Sequence, residues 1–200
     1  MKGSLIILSF FSIGLLLGLF RWVPPELLTY NISFYVLCTL MFSVGVSIGY
    51  DSTTFKQFRH LNPRLVFLPL MTMAGTFLGV SVVSFFIPNH GLTDCLAVSS
   101  GFGYYSLSSI LITQYKGVGL GTIALLANII REVITLLLAP LMVKFFGKLS
   151  PISAGGATTM DTTFPVIIRS SGKEFSIVSI YHGFIMDFSV PFLVTFFCSI

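Results

Sequence analysis

The stretch GVGLGTIALLANIIREVITLLLAPLMVKFF, residues 117–146, decides the fold class. It contains 30 residues and is almost wholly apolar, whereas a helix that crosses a bilayer needs about 20 such residues. Glu132 lies at its centre, where a charge is costly unless it faces a partner or a water-filled cavity. The stretch therefore predicts a transmembrane helix that carries a buried carboxylate.

The composition of the whole chain leads to the same class. Of its 200 residues, 54% are hydrophobic and 9% are charged, and the mean hydropathy is +0.95. A soluble globular protein has about 25% charged residues. We predict an all-α integral membrane protein and no nucleic-acid binding, since the net charge is only +4. The three cysteines lie in or beside apolar runs and show no metal-ligand spacing, so we expect no metal and no cofactor: Cys38, Cys95 and Cys198.

Uninterrupted apolar runs predict further spans at residues 5–20, 32–50, 65–87 and 175–200. We expect the first to be uncleaved, because the first alanine of the chain is Ala74 and no signal-peptidase site precedes it. The densest basic cluster, Lys56, Arg59 and Arg64, lies between the second and third spans. The positive-inside rule places this loop, and with it the N-terminus, in the cytoplasm.

Two further apolar segments, residues 94–112 and 150–168, are interrupted by stretches rich in Gly, Ser and Thr. When Gly103 is aligned with Gly156, residues 105–109 and 158–162 show the same order of hydroxyl and apolar side chains. Broken helices are a device by which transporters present backbone groups to a polar substrate near the membrane midplane. Close helix packing through small residues is the alternative.

Counting both interrupted segments as crossings predicts about seven spans, with a cytoplasmic N-terminus and an external C-terminus. An inverted pair would instead require a re-entrant segment. The seven-span topology places more basic residues in the cytoplasm than outside. The cytoplasmic residues are Lys2, Lys56, Arg59, Arg64, Lys116, Arg169 and Lys173, and the external ones are Arg21, Lys144 and Lys148.

Glu132 belongs to a polar stripe on its helix, together with Asn128, Arg131 and Thr135, within an arc of about 100°. Such a stripe must face the interior of the bundle. One interpretation is a structural bridge from Glu132 to Arg131 or Asn128. The other is a site at which Glu132 binds a cation or a proton.

Asp161 lies among four threonines in the second interrupted segment. It either caps the helix expected at residues 164–168 or takes part in a site. Asp187 lies in the middle of the last span, about 140° around the helix from His182. Asp187 is thus a third candidate carboxylate, and His182 is a candidate for the site or for a structural hydrogen bond. Secondary candidates that could hydrogen-bond a substrate or cover a cation, or only pack in the core, are Tyr104, Ser106, Ser108, Thr159 and Thr162.

Four ordered motifs carry a resemblance to a known family. They are residues 100–108 (SGFGYYSLS), 128–132 (NIIRE), 155–165 (GGATTMDTTFP) and 182–184 (HGF). With these motifs the chain closely resembles the bacterial lysine exporter LysO family, and the likeness extends over most of the chain from Phe42 onward.

The resemblance implies a multi-pass transporter domain over residues 1–200 in the bacterial cytoplasmic (inner) membrane. It implies export of L-lysine in exchange for protons, without enzymatic activity, and Glu132 and Asp161 match the family's intramembrane acidic positions. Single-chain members have additional N-terminal spans, so a split exporter with a small membrane partner subunit is expected. Arg131 would either balance one of the acids or clamp the substrate carboxylate.

Two other functions remain open. Asp161 and Asp187 could form the dyad of an intramembrane aspartyl protease, because two carboxylates in a membrane can share a proton. The chain could also be a structural subunit that transports nothing, in which case it would tolerate Glu132→Gln and Asp161→Asn.

Overall fold

The computed structural model describes residues 63–200 and, before them, only positions 13, 16, 17, 19, 20, 22, 35, 39, 42 and 46. The chain divides into two compact units, Met1–Gly49 and Tyr50–Ile200. In the first unit, Thr39 Oγ1 donates a hydrogen bond to the carbonyl of Tyr35 at 2.9 Å, between two helical residues. Most of the first two predicted spans, together with Lys56 and Arg59, lies outside the described residues. One transporter domain over the whole chain stays a prediction.

Residues 63–200 contain helices and no strand. The α-helices are α1 (Pro63–Val66), α2 (Leu68–Ser84), α3 (Leu92–Ser99), α4 (Tyr105–Lys116), α5 (Val118–Phe146), α6 (Ser150–Gly155), α7 (Phe164–Ser171) and α8 (Ser176–Ser199). Two 3-10 turns lie at Gly156–Met160 and Lys173–Phe175. Proline occupies the first turn of α2, α6 and α7, where its fixed φ suits a helix start and its missing N–H costs nothing.

The longest described helix, α5, has 29 residues. At 1.5 Å per residue it is about 43 Å long, which exceeds the hydrocarbon thickness of a bilayer, about 30 Å. In the described part of the chain, α5 and the stretch Lys173–Ser199 are long and apolar enough to cross a membrane, and α2 is a shorter apolar helix. The helical fold and these apolar lengths fit an integral membrane protein.

The first interrupted segment is a helical hairpin. Its arms are α3 and α4, and residues 100–104 form the tip. At the base, Lys116 Nζ lies 3.3 Å from Asp94 Oδ1, so the start of α3 and the end of α4 lie side by side. His90 Nδ1 lies 3.9 Å from the other oxygen of Asp94. We call residues 92–116 the first hairpin.

The second interrupted segment is also a hairpin, with α6 and α7 as its arms. Lys148, just before α6, and Glu174, just after α7, form an ion pair of 2.9 Å. Between the arms, buried Ile152 and Ile167 pack with Val178 at the start of α8. We call residues 150–171 the second hairpin.

The two hairpins enter the bundle from opposite ends, because α5 leads from the base of the first to the base of the second. We name these the Lys116 end and the Lys148 end. Leu65 and Leu68 pack on the core of the second hairpin, so α2 also starts at the Lys148 end. The charge of Lys116 acts on Cys198, which places the end of α8 at the Lys116 end.

This geometry corrects the topology expected from sequence. Counting seven crossings placed Asp94 outside and Lys116 inside, and it separated Lys148 from the start of the last span. Two ion pairs contradict that arrangement, because side chains on opposite sides of a layer about 30 Å thick cannot touch. Both interrupted segments fold back, which agrees with the re-entrant alternative and not with two crossings, and the span count of the whole chain stays a prediction.

Candidate functional site

The tips of the two hairpins touch through their backbones. The Ala157 N–H donates a hydrogen bond of 2.8 Å to the carbonyl oxygen of Phe102. Gly156 has a φ of +65°, and a Cβ at this position would overlap the Phe102 carbonyl. Glycine is therefore required at residue 156 both for its backbone conformation and for the close approach of the tips.

Asn128, on α5, holds the first hairpin. Its Oδ1 accepts a hydrogen bond of 2.7 Å from the Gly103 N–H, and its Nδ2 donates to the carbonyl of Val98 at 3.2 Å. Both backbone groups flank the end of α3, where helix hydrogen bonding stops and buried polar groups need other partners. One buried amide side chain thus fixes both sides of this tip.

Arg131, one turn further along α5, holds the second hairpin. Its Nε donates to the Ala154 carbonyl at 2.7 Å and its Nη2 to the Ser153 carbonyl at 3.1 Å. These carbonyls lie in the last turn of α6, where a positive charge is favourable. The guanidinium carbon also lies 5.7 Å from the centre of the Phe102 ring. No carboxylate among residues 63–200 forms an ion pair with Arg131.

Helix α8 packs closely on the tip of the second hairpin. Thr159 Oγ1 donates to the Ser179 carbonyl at 3.0 Å, and Ser179 Oγ donates to the Thr159 carbonyl at 2.8 Å. One turn later, a Cβ at Gly183 would lie 2.8 Å from the Met160 nitrogen. The small residues at 179 and 183 therefore bring α8 against the turn that leads into Asp161.

Three carboxylates lie on the elements that meet at this junction: Glu132 on α5, Asp161 after the 3-10 turn and Asp187 on α8. Asp161 follows the 3-10 turn and is exposed, and Thr162 donates to its Oδ1 from both N–H and Oγ1. Asp187 is one turn beyond Gly183 on α8 and is buried. The charge of Asp161 acts on Asp187 and on Tyr104 and Tyr105, and the charge of Glu132 acts on Tyr105. We call Glu132, Asp161 and Asp187 the acidic cluster.

The acidic cluster lies at mid-depth in the bundle, since Glu132 is at the midpoint of α5. Its members form no ion pair with a basic residue among residues 63–200. Asp161, Thr162 and the first-hairpin residue Ser106 are exposed at this junction. Exposed polar groups at this depth require water or a polar ligand rather than lipid. The arrangement can therefore bind a cation or exchange protons.

His182 contacts α2 from α8, and its ring also lies near the Gly156 backbone at the tip of the second hairpin. The ring is buried, and Nε2 lies 3.0 Å from Thr72 Oγ1. Nδ1 has no hydrogen-bond partner among the described residues. The structure thus separates His182 from Asp187, as their angular spacing on one helix predicts.

The cavities lie elsewhere on α5. One of about 620 Å³ is bordered by α2, α5 and α6, and one of about 440 Å³ by α2, α3 and α5. Arg131 and Thr76 line both, whereas no member of the acidic cluster lines either. These two cavities therefore adjoin the groups that hold the hairpins.

Comparison with known families identifies the family of this chain. The family profile described as lysine exporter LysO matches residues 8–198, nearly the whole chain. The chain belongs to the lysine exporter LysO family.

Two curated relatives agree with this family. The chain is 34% identical to the protein named "Lysine exporter LysO" from Escherichia coli over 163 residues, 82% of this chain and 54% of the relative. It is 33% identical to the "Putative lysine exporter" of Haemophilus influenzae over 195 residues, 96% of this chain and 97% of the relative. The chain thus spans about half the length of the Escherichia coli protein. No solved structure matches.

In this LysO-family chain, the structure brings together most of the residues selected from sequence. Glu132, Asp161, Asp187 and Tyr104 lie at the junction, and Asn128 and Arg131 hold the tips. Two hydroxyl candidates serve the fold, because Ser108 Oγ donates to the Tyr104 carbonyl at 2.9 Å and Thr159 bonds with Ser179. Whether the candidates act on a substrate stays a prediction.

Sequence reasoning missed other contacts at this junction. It did not select Phe102, whose carbonyl joins the tips, or Ser179 and Gly183, which seat α8. The two small residues four positions apart were the available signal for close helix packing. Nothing in the sequence marks a backbone carbonyl as a contact.

Proposed function

We propose that this chain exports L-lysine from the bacterial cytoplasm across the inner membrane, in exchange for protons, through the acidic cluster. The observation that carries the proposal is the gathering of Glu132, Asp161 and Asp187 at mid-depth, without a basic partner among residues 63–200. Membership in the LysO family and the names of both relatives support lysine as the substrate.

Exchange for a proton removes the electrical cost of exporting a cation. Moving one positive charge outward against an interior-negative potential costs about 2.3 kcal/mol per 100 mV. One incoming proton cancels the charge that a lysine cation carries out. A carboxylate that binds either a proton or an ammonium group, but not both, couples the two movements by competition, and we assign this role to Glu132 and Asp161.

Asn128 and Arg131 act as positioning residues in this proposal. They hold the two tips on neighbouring turns of α5, so the backbone of both hairpins reaches the midplane with its polar groups satisfied. Hairpins that enter from opposite ends suit alternating access, because either tip can move while the other closes the path. Tyr104 and Tyr105 lie near the acidic cluster, and their rings can cover a bound ammonium group.

The distribution of basic residues supports an orientation in which the Lys148 end is cytoplasmic. In residues 63–200 that end has five basic residues, and the Lys116 end has Lys116 alone. The five are Arg64, Lys144, Lys148, Arg169 and Lys173. With the predicted spans at 5–20 and 32–50, the chain crosses five times, which keeps the N-terminus cytoplasmic and the C-terminus outside.

A partner subunit is part of the proposal. The match to about half of the Escherichia coli relative supports a small membrane protein that contributes further spans. The proximity of Asp161 and Asp187 is the observation that favours a protease dyad instead. Against a protease, both relatives are named as exporters.

Lysine efflux from bacteria that lack their own exporter tests the proposal. Cells loaded with a lysine-containing dipeptide would express the intact chain, Glu132→Gln or Glu174→Gln, with membrane insertion verified for each. Glu174 is an exposed acid at the base of the second hairpin, so its variant controls for loss of a carboxylate. We expect efflux from the intact chain and the control only. Efflux that survives Glu132→Gln, or none from the intact chain with candidate partners, would contradict the proposal.

A further inference from the structure

Asp187 is a buried acid without a partner for its charge among residues 63–200. Its side chain is 6% exposed, and no hydrogen bond or ion pair reaches it from residues 63–200. Its position is set by packing, because Gly183, one turn earlier, contacts Met160, the residue before Asp161. Burying an ionised carboxylate without hydrogen bonds costs far more than burying the neutral acid.

A second acid near Asp187 makes its negative charge still less favourable. From the second hairpin it faces Asp161, and from the start of α4 it faces Tyr104. On its own helix, His182 turns instead toward Thr72 of α2. From α5, the charge of Glu132 acts on Tyr105 and that of Arg131 on His182. No cation acts on Asp187 from these elements.

Asp161 has the opposite environment. It is exposed, and the Thr162 N–H and hydroxyl both donate to its Oδ1. Hydrogen bonds to a carboxylate favour its ionised form, and two neighbouring carboxylates resist ionising together. In an empty site the buried Asp187 therefore holds a proton.

We propose that Asp187 carries the proton that is exchanged for substrate, a role that rests on the proposed function and refines it. When a substrate ammonium binds at Asp161, its positive charge also stabilises an ionised Asp187. The Asp187 O–H bond then breaks, and the proton passes to water at the exposed face of Asp161. The ammonium lies between two carboxylates, and its departure returns a proton to Asp187. One ammonium group thus replaces one proton.

Proteoliposomes separate this role from substrate binding. The chain, with its partner if export requires one, would be assayed for exchange of labelled lysine against unlabelled lysine, and for lysine movement driven by a pH gradient. Asp187→Asn cannot release a proton. We expect pH-driven lysine movement to fall at least about tenfold further than lysine–lysine exchange does in this variant. Asp187→Glu restores a titratable group and should restore the response to the gradient.

A second measurement needs no variant of Asp187. Adding pH-matched lysine to the purified wild-type protein in weakly buffered detergent should release about one proton per bound lysine, followed with an indicator dye. Glu174→Gln should behave as wild type. Lysine binding without proton release would overturn the proposal, even if Asp187→Asn fails to fold.

The outcomes distinguish the two proposals. Absence of lysine–lysine exchange by the wild-type protein would defeat the proposed function itself. Wild-type exchange together with an unchanged pH response of Asp187→Asn would defeat only the role of Asp187. Loss of both activities in a folded Asp187→Asn protein would make Asp187 a binding residue, which also overturns the proton-carrying role.

Discussion

The N–H of Ala157 and the carbonyl oxygen of Phe102 form a hydrogen bond of 2.8 Å that joins the tips of two hairpins entering from opposite ends of the bundle. The neighbouring residues on α5, Asn128 and Arg131, each hold one tip. The acidic cluster lies beside this junction, so the geometry of the tips sets the positions of its carboxylates.

Replacing Gly156 with alanine should separate the tips. Alanine disfavours the positive φ by about 1–2 kcal/mol, and its Cβ would overlap the Phe102 carbonyl. We expect a lower melting temperature in detergent and loss of lysine efflux. Gly119→Ala is the matched control, since a Cβ there meets no atom within 4 Å on a helix, and alanine should raise stability by up to about 1 kcal/mol. Equal stability of the two variants would argue against the tip contact.

Asn128→Asp replaces the side-chain NH2 group by an oxygen atom, and we expect it to destabilise the protein. The carboxylate can still accept from Gly103, but it cannot donate to the Val98 carbonyl, which is left without that partner. We expect a loss of about 1–3 kcal/mol, seen as a lower midpoint in thermal or denaturant unfolding. Asn89→Asp, the same change at an exposed loop residue, should have little effect. A normal midpoint for Asn128→Asp would contradict the assigned hydrogen bonds.

Arg131→Lys should impair transport of every substrate alike. Lysine keeps the charge but cannot bond both the Ser153 and Ala154 carbonyls with the fixed fork of arginine. The measurement is inhibition of labelled lysine exchange by unlabelled lysine and by lysinamide, which lacks a carboxylate. If Arg131 positions the hairpin, the ratio of the two inhibition constants stays as in wild type. A selective weakening of lysine would show that Arg131 clamps the substrate carboxylate.

Cysteine labelling should distinguish five crossings from seven. In a background with Cys38, Cys95 and Cys198 replaced by serine, Lys116→Cys and Lys148→Cys would be treated with an impermeant maleimide. The hairpin geometry predicts labelling of intact cells through residue 116 and labelling of residue 148 only after permeabilisation. The seven-span topology predicts the reverse, so the experiment decides between them.

The helices and their breaks could be predicted from local sequence, whereas the path of the chain after each break could not. Local sequence was enough for α5, because a long apolar run in lipid can satisfy its backbone groups only as a helix. Local sequence also located the breaks near Gly103 and Gly156, where glycine and hydroxyl residues weaken a helix. Whether the chain crosses or folds back after each break stayed open, because it depends on the ion pairs of Asp94 with Lys116 and of Lys148 with Glu174, which join residues 22 and 26 positions apart.

By itself, the sequence predicted a helical membrane protein with Glu132, Asp161 and Asp187 as acids in apolar surroundings, and its motifs indicated the LysO family. Those conclusions follow from composition, periodicity and motif order, which are properties of short stretches. Only the tertiary structure decided that both breaks are hairpin tips, that Asn128 and Arg131 hold them, and that Asp187 faces Asp161 while His182 faces Thr72. These relationships depend on packing between segments that are distant in sequence. In such packing a buried backbone carbonyl or charge is contacted by groups that its sequence neighbours do not supply.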